Sequence, residues 1–314
     1  LYTISLAAIP FAGGFWSLAL ALFAFGAFHG AMDVTMNAWA AEVERAAGRP
    51  IMSSFHAMFS IGAGVGAASG FAAVSYGLSV AQHFAIFGTL FAIGTVFFAS
   101  IRWTSSVSSS PKKASLFAFP TGVLALVGVL AACASIGEGA MADWAAVYLA
   151  ERLPEGSTRA ALAVSIFSGF LALGRFLGDA ANVRFGVVRL ARGAVSLAIV
   201  GLLFLTLPLP LVFAYVGFAL VGLGASVGYP LAVSAVAGLD NTYEGANIAT
   251  LSLVTVMGFL AGPPIIGFLA ESFSLRVGLA ALLPGLALGF VLSRVLDPVN
   301  RRVGDVNRSD SPDF

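Results

Sequence analysis

Apolar positions run along this chain in long continuous blocks, with charged residues collected where the blocks end. Two blocks set the scale: Pro50 to Ile101 contains no Asp, Glu, Lys or Arg over 52 residues, and Gly193 to Leu239 contains none over 47. A transmembrane helix needs about 20 mostly apolar residues to cross about 30 Å of hydrocarbon, so each block holds two spans. Each also carries a turn signal near its middle, Tyr76-Gly77 in the first and Pro208-Leu209-Pro210 in the second, and both predict helical hairpins. A spanning β-barrel would instead show short stretches of alternating polarity. The same division predicts spans near 15–41, 52–75, 80–101, 117–149, 159–180, 193–207, 211–238, 245–270 and 275–296. Ahead of them, Leu1 to Pro10 is apolar but too short to cross, and the chain starts with Leu. An N-terminally incomplete chain is expected, rather than a cleaved signal peptide, because no basic region precedes this segment and no polar domain follows it.

Composition narrows the class further. The 314 residues are 59% apolar and 10% charged, with a mean hydropathy of +0.96, against roughly 45 to 50% and 25% in an ordinary soluble domain. A soluble globular reading is excluded. The net charge of +1 carries no nucleic-acid footprint, and the single Cys133 has no partner for an internal disulfide. The expected partners are the lipid bilayer and a small-molecule substrate, for a chain acting as a monomer.

One internal stretch has linker composition: Arg102 to Ser115 is Ser-rich, polar and basic. It divides the chain into a partial N-terminal helical bundle at 1–101, a linker at 102–116 and a six-helix bundle at 117–296, followed by a polar tail at 297–314 that is expected to be disordered. With the linker in the cytoplasm, that side collects Arg45, Arg49, Arg102, Lys112, Lys113, Arg175, Arg184, Arg189, Arg192, Arg294, Arg301, Arg302 and Arg308. The other face keeps Arg152, Arg159 and Arg276. Thirteen basic residues against three place the linker and the C-terminus inside. A weak repeat accompanies the division: Ser75 to Val80 resembles Ser272 to Val277 at an offset of 197 residues, which also aligns Gly70 with Gly267. Parallel helical halves of this kind are a transporter architecture.

Ionisable side chains inside a span cost about 2.5 to 3.5 kcal/mol on insertion scales, so each marks a functional candidate. His29, Asp33 and Asn37 recur at i, i+4 and i+8 on one helix face. They form either a cavity-facing site at which Asp33 binds a solute or relays a proton, or a hydrogen-bonded patch between helices. Glu138 and Asp143 lie in the span after the linker, Glu138 deep within it. Withdrawal from water favours a protonated carboxylate, the property a proton-coupling group needs; the alternatives are a solvated vestibule or a structural hydrogen bond. Trp144 suits an aromatic-belt anchor, and His56, in the first turns of its helix, suits a structural hydrogen bond as well as a solute contact. Gly62, Gly66 and Gly70, and Gly222, Gly224 and Gly228, are spaced for close helix packing, and Pro263-Pro264 is expected to kink its helix. Three scattered histidines and one cysteine give no metal-ligand cluster, and no cofactor is expected beyond protons as the coupling ion.

The run Gly174-Arg175-Phe176-Leu177-Gly178-Asp179, continuing through Arg184, Gly186, Arg189 and Arg192, resembles the cytoplasmic signature loop of the major facilitator superfamily. The resemblance implies a gate in which Asp179 forms charge contacts with Arg175, Arg184 and Arg189 in one access state, with Gly174, Gly178 and Gly186 allowing the tight turn. Asp33-Val34-Thr35-Met36-Asn37, Gly48-Arg49-Pro50, Ser54-Phe55-His56 and Glu138 to Trp144 are similar to the fucose-permease-like branch and its bacterial relatives. That implies an all-α polytopic two-bundle fold lacking about two and a half N-terminal helices, with Asp33, Glu138 and Tyr229 on the helices that line a central cavity. The implied function is secondary transport of a small polar solute such as a sugar, coupled to protons, across a bacterial inner membrane, and not an enzymatic activity. A drug or metabolite efflux antiporter is the alternative within the class, disfavoured because Gly66 is followed by Ala67 and not Pro. A non-transporting scaffold or sensor, or an inactive truncated remnant, is the alternative outside it.

Overall fold

The computed structural model describes residues 1–102, 120–154, 158–239 and 244–297. Most of the expected linker, with Lys112 and Lys113, and the tail with Arg301, Arg302 and Arg308 lie outside the described residues. Among the described residues, nine helical spans are long and apolar enough to cross a membrane. The helices are α1 (Tyr2–Ala8), α2 (Phe15–Ala47), α3 (Met52–Ser75), α4 (Val80–Ala99), α5 (Gly122–Ala150), α6 (Leu162–Phe185) and α7 (Val187–Thr206). They continue with α8 (Leu211–Ala225), α9 (Gly228–Ala237), α10 (Glu244–Ser272), α11 (Leu275–Ala280) and α12 (Leu282–Leu292). α8 with α9, and α11 with α12, each make a single span broken by a short irregular step.

Three helices run past their apolar blocks. α2 continues to Ala47, α6 continues to Phe185, and α7 begins at Val187, so the charged Glu42, Glu44, Arg45, Arg184, Arg189 and Arg192 are helical. Glu and Arg are good helix formers, and nothing ends a helix where the membrane ends. The signature run therefore corrects to two helices meeting at one residue: Gly186, at φ +78, is the whole turn, and Gly174 and Gly178 are helical. α2 stops at Gly48, whose φ of +62 is the left-handed C-terminal cap that glycine adopts without strain. Pro263 and Pro264 lie within α10, which runs unbroken through them.

Alternation of the helices puts the C-terminus of α2, the N-terminus of α3, the α6–α7 junction and the N-terminus of α10 at one end of the bundle, here the basic end. The turn from α3 to α4 lies at the opposite end, as does that from α10 to α11. Both close with a serine cap, Ser79 accepting from the Gln82 N–H and Ser274 from the Val277 N–H. The repeat offset of 197 superposes the helix ends Ser75 and Ser272, but the two caps differ from it by two residues.

Lipid gives little hydrophobic drive to helix association, so close backbone approach carries the packing. Along α5 and α10, a Cβ placed on Gly139 would stand 2.3 Å from the Phe259 carbonyl oxygen, and one on Gly262 2.6 Å from that of Ile136. One core, built on Met141, Tyr148, Leu202 and Phe218, lies within the C-terminal helices. A second joins both halves at the basic end, packing Ala40, Ala41 and Met52 against Leu231, Val233 and Ile248.

Candidate functional site

The polar stripe of α2 faces the other half of the molecule. Asn37, buried, donates through Nδ2 to the Asp33 carbonyl at 3.0 Å and to Asp33 Oδ1 at 3.1 Å. Asp33 Oδ2 accepts from the Ser252 hydroxyl of α10 at 3.1 Å and from the Tyr229 hydroxyl of α9 at 3.4 Å. The two hydroxyls lie 2.9 Å apart, and Asn37 Nδ2 reaches the Tyr229 oxygen at 3.4 Å. Asp33 is thus solvated by neutral donors from three helices, which is how a carboxylate remains tolerable away from bulk water.

Glu138 of α5 meets Arg175 of α6. Arg175 Nη2 lies 3.2 and 3.5 Å from the two Glu138 carboxylate oxygens, and Nη1 donates to Ser60 of α3 at 2.9 Å. The Arg175 side chain is 7% exposed and that of Glu138 24%, so the carboxylate is the open member of the pair. The structure therefore moves Arg175 from the expected gate into the interior. His56 is buried nearby, its ring edge-on to Tyr229 at 5.2 Å.

These groups share one cavity of about 460 Å³, lined by His29, Asp33, His56, Glu138, Arg175 and Tyr229 with Ser252, Thr255, Phe59 and Phe259. The volume lies within the range of small-molecule sites. Two carboxylates, one guanidinium, several hydroxyls and two phenyl rings suit a solute of mixed polarity.

Between the cavity and the basic end, charge ties α3 to α2 within its own half and to the opposite half. Two carboxylates hold the N-terminus of α3: Glu44 accepts from the Ile51 and Met52 N–H groups at 2.9 and 2.8 Å, and Asp179 from the Ser53 and Ser54 N–H groups at 3.0 and 2.7 Å. The Ser54 hydroxyl adds a third bond to Asp179 at 2.5 Å. A helix N-terminus carries free N–H donors and partial positive charge, so both acids are well placed. Asp179 reaches across the halves because Gly178 has no side chain: a Cβ there would stand 2.8 Å from Ser53 Oγ and 2.9 Å from Val227 Cγ1. The partners of Asp179 among the described residues are therefore the α3 backbone and Ser54, in place of the expected arginines. Arg184 packs over the Phe185 ring at 5.5 Å. A second tie, Arg45 to Glu244, is a two-pronged ion pair at 2.8 and 2.9 Å.

No family model matches the chain. It is 38% identical over 280 residues to an uncharacterized transporter of Sinorhizobium fredii, covering 88% of this chain and 73% of that protein. It is 35% identical over 271 residues to an uncharacterized MFS-type transporter of Yersinia pestis, covering 85% of this chain and 70% of that protein. The chain belongs to the major facilitator superfamily. The fold agrees with the superfamily: the structure matches the transporter FucP in its outward conformation with a TM-score of 0.76 at 14% identity, over 95% of this chain and 81% of that one. A second structure of FucP, described as the fucose:proton symporter of E. coli, matches at a TM-score of 0.74, also at 14% identity, over 94% of this chain and 81% of that one. As a member of the superfamily, the chain is a polytopic integral membrane transporter.

Of the expected site residues, His29, Asp33, Glu138 and Tyr229 line this cavity, and Asn37 bonds Asp33 from the same helix. Asp143 is exposed and lies outside that cavity lining. Trp144 is a helix tie more than a belt anchor, its Nε1–H donating to the Pro263 carbonyl of α10 at 3.0 Å. Sequence reasoning missed Ser60, Ser252, Glu244 and the role of Arg45. Serines are too common in membrane helices to stand out, and charges at helix ends read as ordinary boundary residues.

Proposed function

We propose that the chain is a proton-coupled symporter that carries a small polar solute, such as a sugar, by alternating access at the cavity between its two halves. In this reading it sits in a bacterial inner membrane with the basic end and the C-terminus in the cytoplasm. The observation that carries the proposal is the Glu138–Arg175–Ser60 chain: the carboxylate faces the cavity, and its arginine partner also bonds a helix of the opposite half. Protonation of Glu138 removes the charge opposing Arg175, so proton binding alters a contact between the halves. Coupling requires such a link between a binding event and a two-state element. The Asp179 and Arg45–Glu244 ties would then hold the cytoplasmic end shut in a state open to the other face, and would break when the cavity faces inward.

The test uses the protein expressed from its own locus, reconstituted in liposomes with an imposed pH gradient and offered labelled hexoses, polyols and sugar acids. Glu138→Gln should abolish pH-driven accumulation while sparing exchange of preloaded solute. Loss of both would assign Glu138 to binding or folding, and unchanged accumulation would remove it from coupling.

A further inference from the structure

The polar groups of the cavity are unequally satisfied. Asp33 has neutral donors on both oxygens, whereas the Nε–H of Arg175 and Nε2 of His56 are buried without a hydrogen-bond partner. Arg175 and His56 are 6% and 7% exposed, and both line the cavity. Geometry makes the arginine the sharper case. The Nε–H and Nη2 of a guanidinium form one edge with two parallel donors, matched to the two oxygens of a carboxylate. Glu138 engages Nη2 alone, at 3.2 and 3.5 Å, and leaves the Nε–H without an acceptor. Arg45 and Glu244 show what a fully engaged pair looks like in this protein, with two nitrogens on two oxygens at 2.8 and 2.9 Å.

We infer that the Nε–Nη2 edge of Arg175, with His56 beside it, receives the carboxylate of a small hydroxy acid, such as a sugar acid, and that Glu138 is the place-holder for that carboxylate in the empty cavity. The inference rests on the transporter reading of the same cavity and specifies its solute class. Charge balance supports it. Entry of a carboxylate adds one negative charge to a site that already holds Asp33 and the neutralised Glu138–Arg175 pair. One proton from the aqueous side, taken by a Glu138 carboxylate oxygen, frees Nη2 and restores the original net charge, with the solute carboxylate now opposing Arg175. Solute and proton therefore enter together. The hydroxyls of the solute meet Ser135 of α5 and Ser252 and Thr255 of α10, which also line the cavity.

The experiment measures thermal unfolding of the purified protein, expressed from its own locus, at constant ionic strength. Formate is the probe for the vacated site, and the pair D-gluconate and D-glucose is the probe for solute class. In Glu138→Ala, formate should raise the Tm saturably, with at least tenfold weaker action on the native protein, where Glu138 competes, and none on Glu138→Ala/Arg175→Met. On the native protein, gluconate should stabilise more strongly at pH 5.5 than at pH 7.5, and glucose should not stabilise at either. If Glu138→Ala does not fold, Glu138→Gln and the native gluconate–glucose comparison decide. Glucose acting equally in the native protein and Arg175→Gln, or no carboxylate effect in any folded form, overturns the inference. The two readings fail separately: pH-driven uptake of a neutral sugar that survives Arg175→Gln keeps the transporter and removes the carboxylate site. Formate rescue without pH-driven uptake keeps the site and removes the coupling.

Discussion

Arg45 and Glu244, 199 residues apart, close the basic end of the molecule with a two-pronged ion pair between α2 and α10. The glutamate is buried, with its side chain 1% exposed, while the arginine is 39% exposed. Loss of the arginine strands a buried carboxylate, which is costly when the partner is fully enclosed and less so here, where water reaches Arg45. Arg45→Gln should destabilise the closed end by about 2 kcal/mol, lowering the Tm and lengthening the distance between spin labels at Ala46 and Gly245 in a Cys133→Ala background. The exchanged pair Arg45→Glu/Glu244→Arg should recover most of the loss. Equal damage in the single and exchanged variants would show that the contact is incidental.

Asp179 holds α3 by its backbone, so its contribution is local and readable at single amides. Asp179→Ala removes three hydrogen bonds and the charge facing the helix N-terminus, worth about 1 to 2 kcal/mol together. Amide exchange at Ser53 and Ser54 should accelerate by roughly tenfold, with Met52, held by Glu44, changing less. Uniform acceleration across α3 would point to general loosening instead.

Gly137 and Gly139 sit two residues apart on α5 and predict opposite outcomes. A Cβ on Gly139 meets the backbone oxygen of Phe259 at 2.3 Å, whereas one on Gly137 meets nothing within 4 Å. Backbone cannot retract as a side chain can, so Gly139→Ala should cost about 1 to 3 kcal/mol and displace Glu138 from Arg175. Gly137→Ala should be near neutral in thermal unfolding, and similar Tm losses in the two variants would refute this close α5–α10 packing.

Asp33 and Asp143 separate in the same way at the level of function. Asp33→Asn replaces an acceptor-only carboxylate with an amide whose NH2 must face either Asn37 Nδ2 or the Tyr229 and Ser252 hydroxyls, all of which donate to the carboxylate, and it removes the charge they solvate. Solute binding should weaken at least tenfold, about 1.4 kcal/mol, by the loss of this network. Asp143→Asn, at an exposed position, should bind as the native chain does, measured by equilibrium binding of whichever solute the uptake screen identifies.

The sequence alone determined the class of molecule and the number of spans, because hydropathy is a property of each segment by itself and a stretch of about 20 apolar residues has one stable habit in lipid. The stripe of His29, Asp33 and Asn37 was legible for the same reason: their spacing fixes them to one helix face whatever surrounds it. Only the tertiary structure decided the partners. A helix apolar around its whole circumference carries no amphipathic signal to state which side faces its neighbours, so sequence could not choose between Arg175 at the gate and Arg175 against Glu138. Nor could it show that Asp179 bonds the N–H groups of α3, since backbone donors leave no mark on residue identity. Those pairings depend on the rotation of each helix about its axis, and close contacts at glycines such as Gly139 and Gly178 set that rotation here.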